Sequence, residues 1–162
     1  MILDNALLLS GAVSAAGALS GQLVIANSAL STNTIDLGPL AIGGNQAGDL
    51  GAGEPLAVEC SILAAPAAAT DVTFQLVQAD DAALTTNVEV IVQTGAFPIA
   101  KLPIGTLVPL AVDRAAPLAP RRYIGARYIS TGTTVTTLSV VAALVKGIQD
   151  KQTSYKSGFA VS

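Results

Sequence analysis

The side chains that could perform acid–base chemistry are few and scattered along the chain. The sequence contains no histidine, which removes the commonest general base, the Ser-His and Cys-His nucleophile pairs and most transition-metal sites. Asp80 and Asp81 could supply two carboxylates, but neighbouring strand residues point to opposite sides, so a solvated turn is favoured. Glu59 and Glu89 could form a glycosidase pair only if the fold brought them together. We therefore expect a protein that is not an enzyme and needs no cofactor.

Two further patterns superficially match ligand-binding motifs. The glycine-rich residues 43–53 lack the Lys-Ser/Thr end of a Walker loop, and a strand-like segment follows them. Residues 121–128 interleave arginines with Tyr123 and Tyr128, as single-strand nucleic-acid platforms do. Strand geometry would put these two rings on opposite faces, and the net charge is −3. We expect no nucleic-acid ligand, and arginines that pair with acidic neighbours are the favoured interpretation.

The composition predicts one folded domain with a surface poor in charge. A chain of 162 residues can bury about 70% of its unfolded surface without a disulfide or a metal. Apolar residues make up 51% and charged residues 12%, so either small residues cover the outside or neighbouring subunits do. Cys60 is expected to be a buried small hydrophobe. No Lys or Arg precedes the first apolar run, so a signal peptide is not expected. No uninterrupted apolar run reaches 18 residues, so a membrane span is not expected either.

Acidic and basic residues occupy different parts of the chain. All eight basic residues lie between positions 101 and 162, and nine of the eleven acidic residues lie in the first 100. These two parts therefore carry about −9 and about +6. Two interpretations stay open: acidic and basic strands pair within one sheet, or the asymmetry serves a contact with another protomer or a larger partner.

Alternating apolar residues predict short strands and no amphipathic helix. Turn signals recur every 8–15 residues, and Pro109 indicates an edge strand. The predicted strands lie near 23–25, 33–37, 56–62, 72–76, 88–92, 106–112, 121–130 and 133–145. The fold class predicted is all-β, an antiparallel sandwich or barrel with a jelly roll as the favoured candidate.

The predicted organisation has three parts. Residues 1–30 form an extended N-terminal arm, residues 31–150 a single jelly-roll-like domain, and residues 151–162 a C-terminal tail. Extended segments cover area with few residues, so the arm and the tail are expected to reach neighbouring subunits. The candidate interface residues are Arg121, Arg122, Arg127, Tyr155 and Phe159.

Four stretches carry a family resemblance through their order and spacing. They are Ser31-Thr32-Asn33-Thr34-Ile35-Asp36-Leu37-Gly38, the loop from Phe97-Pro98 to Leu102-Pro103-Ile104-Gly105, Arg122-Tyr123-Ile124-Gly125-Ala126-Arg127-Tyr128, and Val140-Val141-Ala142-Ala143-Leu144-Val145. Together they resemble the capsid cement, or decoration, proteins of tailed bacteriophages over residues 31–145. Ser157-Gly158-Phe159 extends the similarity.

The resemblance implies a jelly-roll-like fold assembled as a homotrimer on the outer surface of the phage head. The implied partner is the major capsid protein, whose neighbouring subunits the trimer staples. The protein would then be made in the bacterial host cytoplasm and located in the virion, with no nucleic acid, membrane or small-molecule substrate as partner. An adhesin or carbohydrate-binding module on a particle surface is the alternative, and a small β-fold hydrolase is a third candidate.

Overall fold

The computed structural model describes residues 5–38, 56–112 and 121–146, and its regular structure is almost entirely β-strand. Within those residues there is no α-helix, and Asn5–Leu7 and Ile99–Lys101 form single 3-10 turns. The strands are β1 Leu8–Ser10, β2 Ala12–Val13, β3 Leu19–Ser20, β4 Gln22–Val24, β5 Ser28–Leu30, β6 Ile35–Asp36, β7 Leu56–Ala64, β8 Ala69–Ala79, β9 Glu89–Gln93, β10 Phe97–Pro98, β11 Leu107–Ala111, β12 Tyr123–Gly132 and β13 Leu138–Lys146.

The strands form two antiparallel sheets that pack face to face, and their order is that of a jelly roll. In the first sheet β4 and β1 pair with β13, which is followed by β7 and β11. In the second sheet β5 and β6 pair with β12, which is followed by β8 and then by β9 and β10. Strands distant in sequence therefore pair, β4 with β13 and β5 with β12, as in two linked Greek keys. The predicted jelly-roll-like all-β fold is confirmed.

The core lies between the sheets and is built from the inward positions of alternating strands. Val58, Cys60 and Ile62 of β7 face Phe74 and Tyr128 of the second sheet, and all five belong to one buried cluster. The ring of Phe74 meets that of Tyr128 edge-on, with 5.8 Å between centroids. The prediction that Cys60 is a buried hydrophobe is confirmed, and burial raises the pKa of its thiol to about 12.

The boundary predicted at residue 30 needs correction, because the described part of segment 1–30 belongs to both sheets. Strand β1 pairs with the middle of β13, β4 pairs with its beginning, and β5 pairs with β12. Leu9 and Val24 are buried in the core, and the Ser10 hydroxyl meets the Tyr128 hydroxyl of the opposite sheet at 2.6 Å. The sequence pattern did not predict these strands, because a segment rich in Ala, Gly and Ser shows no clear alternation of apolar and polar residues. Residues 1–4 lie outside the described part.

The remaining strand predictions agree with the structure in position and differ in length. Strand β11 is an edge strand with Pro109 at its centre, as predicted. Strand β13 begins at Leu138 rather than at residue 133, because residues 133–137 form the connection from β12. Gly132 ends β12 with a φ of +77°, a backbone conformation that favours glycine. The predicted loop at 43–53 and the tail 151–162 lie outside the described residues.

Candidate interaction surfaces

Arg121 and Arg122, two of the candidate interface residues, are neutralised within the chain. One terminal nitrogen of Arg121 lies 2.8 Å from Asp80 and the other 2.9 Å from Glu89. Arg122 holds Asp36 through two hydrogen bonds of 2.8 Å each, the bidentate geometry that suits a guanidinium and a carboxylate. These pairs join acidic residues of the first part of the chain to basic residues of the second. The interpretation that the charge asymmetry is balanced within one sheet is therefore confirmed at these two positions.

The pKa values of these carboxyl groups reflect the same contacts. Hydrogen bonds from Arg122 and from the Gly38 backbone lower the pKa of Asp36 from 3.8 to about 2. The pKa of Asp80 is lowered by Asn87 and Arg121, and that of Glu89 by Arg121 and Gln78. In turn, Glu89 and Asp80 raise the pKa of Arg121 above its ordinary value. All these groups are ionised at neutral pH, and the ion pairs tie β12 to its neighbouring elements.

A pH dependence of stability follows from Asp36. Its pKa is lower in the folded state than the ordinary 3.8, so its contribution is present above 3.8 and is lost as the pH falls towards about 2. We expect the midpoint of urea unfolding to decrease over that window and Asp36→Asn to make the decrease shallower. Circular dichroism at a series of pH values measures both. An Asp36→Asn variant with the wild-type pH profile would contradict the assignment.

Two of the stretches that carry the family resemblance, residues 31–38 and 122–128, lie side by side, and their close approach requires a glycine at position 125. Residues 31–38 run along the first half of β12: the Ser31 hydroxyl accepts a hydrogen bond from the Ala126 amide at 2.9 Å, and the Leu37 amide donates to the Arg122 carbonyl. A Cβ at Gly125 would lie 2.8 Å from the Ser31 hydroxyl and 2.5 Å from Leu84. Glycine is therefore needed for this close approach.

Arg127 differs from the other two arginines. It lies in the middle of β12, opposite Gln75 of β8 and Leu30 of β5, and its side chain is on the outer face of the second sheet. Its Nε donates to the Gln75 side-chain oxygen at 2.6 Å, and Gln75 donates to Gln93 at 2.7 Å. No carboxylate of the described residues forms an ion pair with it. The predicted pairing with an acidic neighbour is thus absent here.

A second surface was missed by the sequence analysis. Strands β2 and β3 form a two-stranded hairpin that interrupts the edge of the first sheet between β1 and β4. Every residue from 12 to 20 is exposed. The hairpin patch is the set of exposed apolar side chains on this hairpin, on the segment after it and on the adjoining strand end: Val13, Leu19, Leu23, Ile25 and Leu63.

Glycines occupy the two ends of the hairpin, where neighbouring atoms leave no room for a side chain. Gly11 has a φ of +97°, and a Cβ there would lie 2.5 Å from the Ser20 carbonyl oxygen. A Cβ at Gly21 would lie 3.3 Å from the Leu63 side chain, so Leu63 borders the hairpin. At the tip, the Ser14 hydroxyl accepts a hydrogen bond from the Ala18 amide at 3.0 Å. The hairpin is therefore a specified element and not a frayed end.

The hairpin patch is also uncharged. No Asp, Glu, Lys or Arg occurs from residue 5 to residue 35 or from residue 60 to residue 70, so the segments that form the patch carry no charge. Leu23 is 57% exposed and Ile25 is 59% exposed, and several exposed apolar side chains grouped on one short segment are typical of a contact site. The sequence signal that could have predicted the hairpin patch is the stretch without charge from residue 5 to residue 35, together with the two short segments of small residues on either side of Gly17.

The other predictions about sites have varied outcomes. Tyr155 and Phe159 lie outside the described residues and stay predictions. Asp81 accepts hydrogen bonds from Thr85 and Thr86, which confirms the turn interpretation at 80–81. Glu59 and Glu89 do not form a pair across the sheets, because Glu59 lies between the core residues Val58 and Cys60 and so points to the outer face of the first sheet, away from Glu89. The described residues contain no group of three or more His, Cys, Asp or Glu that could hold a metal.

Neither an aromatic platform nor a membrane helix is found in the described part of the chain. Phe74 and Tyr128 are buried, and Phe97 and Tyr123 are half-buried. The Tyr123 ring is partly covered by the Arg122 guanidinium, 5.0 Å from its centroid. No helix in this part has the length and apolar character needed to span a bilayer.

The fold and its surfaces define an all-β protein of jelly-roll-like architecture. A family model described as Bbp16 matches residues 19–144. Because the match covers more than half of the sequence, the chain belongs to the Bbp16 family. The match includes every strand from β3 to β12 and most of β13. No curated protein matches the chain.

Proposed function

We propose that this protein is a capsid cement protein: it binds the outside of a bacteriophage head as a homotrimer and stabilises contacts between major capsid subunits. The observation that carries the proposal is the uncharged hairpin patch on an otherwise well-packed jelly roll, which suits permanent burial against protein. Membership of the Bbp16 family supports it, since that family name suggests a phage-type protein. The role requires no cofactor, catalytic residue, nucleic acid or membrane.

The two surfaces suit two kinds of contact. Interfaces between permanently associated copies are more apolar than interfaces formed later between folded partners. The hairpin patch, with Leu19 and Leu23 exposed and no charge, is accordingly assigned to self-association. The polar outer face of the second sheet around Arg127 is assigned to the shell. The protein would be made in the host cytoplasm and act in the virion.

The mechanism is a shift of equilibrium in the shell. A shell expands as DNA is packaged, and a trimer that binds only the expanded lattice stabilises that state by mass action. Three copies in one trimer contact the shell together, so modest affinity at each site gives strong attachment overall. The protein needs only a rigid scaffold and contact surfaces, which the buried core and the exposed hairpin supply.

The test is sedimentation of the purified protein with phage heads that lack it. We expect saturable binding to expanded heads and at least about 10-fold weaker binding to unexpanded shells, a difference of about 1.4 kcal/mol. Bovine serum albumin in place of the protein controls for trapping in the pellet. Equal binding to both shells would contradict the mechanism, and binding to neither would overturn the proposed function.

A further inference from the structure

Arg127 is the one arginine of the described residues whose charge has no partner carboxylate among them. Arg121 contacts two carboxylates and Arg122 contacts one. Arg127 is half-buried at the centre of the second sheet, where strands flank it on both sides. Its terminal nitrogens are not among the buried unpaired atoms of the described residues, so they reach solvent and are open to a ligand. This position therefore differs from that of a charge on the rim of the molecule.

The guanidinium of Arg127 is already oriented. Its Nε donates to Gln75 at 2.6 Å, and Gln75, itself 7% exposed, is fixed by its bond to Gln93 at 2.7 Å. A guanidinium has five N–H donors, so the four on the terminal nitrogens remain without a partner among the described residues. A fork held in this way loses little further entropy when a planar oxyanion binds it.

We propose that Arg127 binds a side-chain carboxylate of the major capsid protein, in bidentate geometry, on the outer face of the second sheet. The inference rests on the proposed function and names the chemistry of the shell contact. A carboxylate matches the two parallel donors of the fork and supplies the missing negative charge.

A second copy of the chain is a poorer occupant. Among the described acidic residues, Asp36, Asp80 and Glu89 already pair with arginines. The other three are Asp71, which accepts from Thr131, Asp81, which accepts from Thr85 and Thr86, and Glu59, which is 9% exposed. Asp71 and Asp81 are thus the accessible described carboxylates without a cationic partner, and the hydrogen bonds that they already accept within the chain make them poorer partners for a second copy. A nucleic acid is disfavoured because one unpaired arginine on a chain of net charge −3 attracts a polyanion weakly.

The test compares Arg127→Gln with Lys101→Gln in sedimentation with expanded heads. Lys101 is an exposed cation in the single turn after β10, so both variants lose one positive charge. We expect Arg127→Gln to weaken binding at least about 10-fold, because charge-assisted hydrogen bonds are lost, and Lys101→Gln to change it less than about twofold. Arg127→Lys should recover only part of the affinity, since a lysine cannot bind in bidentate fashion. Light scattering and thermal melts show whether the variants keep their mass and fold.

The outcomes separate this inference from the function on which it rests. If the wild type binds heads and Arg127→Gln binds equally well, the carboxylate contact is overturned and the function stands. If Arg127→Gln changes the solution mass, the arginine contacts a second copy instead. Inhibition of head binding by an oligonucleotide but not by polyglutamate would replace the carboxylate with a nucleic acid. If the wild type binds no heads, both proposals fail.

Discussion

Deletion of residues 1–25 is expected to unfold the protein rather than to release an arm. The deletion removes β1 and β4, the two strands that pair with β13 at the edge of the first sheet. It also removes Leu8, Leu9 and Val24, each at most 2% exposed, and burial of one such side chain contributes about 1.5–3 kcal/mol. The loss is comparable to the whole stability of a domain, about 5–15 kcal/mol.

A matched pair of leucine substitutions separates the contribution of core packing to stability from the effect of shortening a surface side chain. Leu9 is fully buried, whereas Leu7, two residues earlier, is 37% exposed. We expect Leu9→Ala to lower the free energy of unfolding by about 2–5 kcal/mol and Leu7→Ala to lower it by less than about 1 kcal/mol. Urea titration followed by circular dichroism measures both, since the chain has no tryptophan. A folded and cooperative 26–162 fragment, or equal effects of the two substitutions, would contradict the account of this segment.

The second large effect is expected where a charge enters the hairpin patch. Leu19→Asp and Leu23→Asp each put a carboxylate into a surface assigned to self-association, and an unpaired charge buried at an interface costs several kcal/mol. We expect the mass from light scattering to fall from three times 16.2 kDa for the wild type to 16.2 kDa. The fold should persist, because these side chains are 39% and 57% exposed before the change.

Ile104 provides the control for that experiment. It is 70% exposed in the turn before β11, outside the hairpin patch, so Ile104→Asp should leave the mass unchanged. A wild-type mass of 16.2 kDa would overturn self-association in solution. A mass near twice that value would keep the self-contact and overturn the trimer, and a Leu23→Asp variant with the wild-type mass would remove the patch from the interface.

The sequence predicted the fold where strand alternation is clean. Val72, Phe74 and Leu76 alternate with polar residues and form the inward face of β8, because a period of two is the direct consequence of strand geometry. The same reasoning failed for residues 8–30. Their strands have two or three residues each, too short to show a period. Three of them, β1, β4 and β5, are defined by pairing with β13 or β12, more than 90 residues away.

The surfaces were less predictable than the fold. Residue type singled out Arg121, Arg122 and Arg127 together, but only the tertiary structure shows that two have carboxylate partners and that the third has none among the described residues. The partners Asp80 and Asp36 lie 41 and 86 residues away in sequence, beyond the range of any local pattern. The exposure of Leu23 likewise could not be predicted from a local pattern, because it depends on which face of the first sheet the rest of the fold covers.

The most direct test of the central claim is the heat stability of phage heads with and without the protein. Heads filled with DNA but lacking the protein are warmed, and DNA release is followed with a dye that the shell excludes. We predict that adding the purified protein raises the temperature of release, saturates at a fixed number of copies per head, and has no effect when added as the Leu23→Asp variant. Release at the same temperature with and without bound wild-type protein would contradict a cementing role.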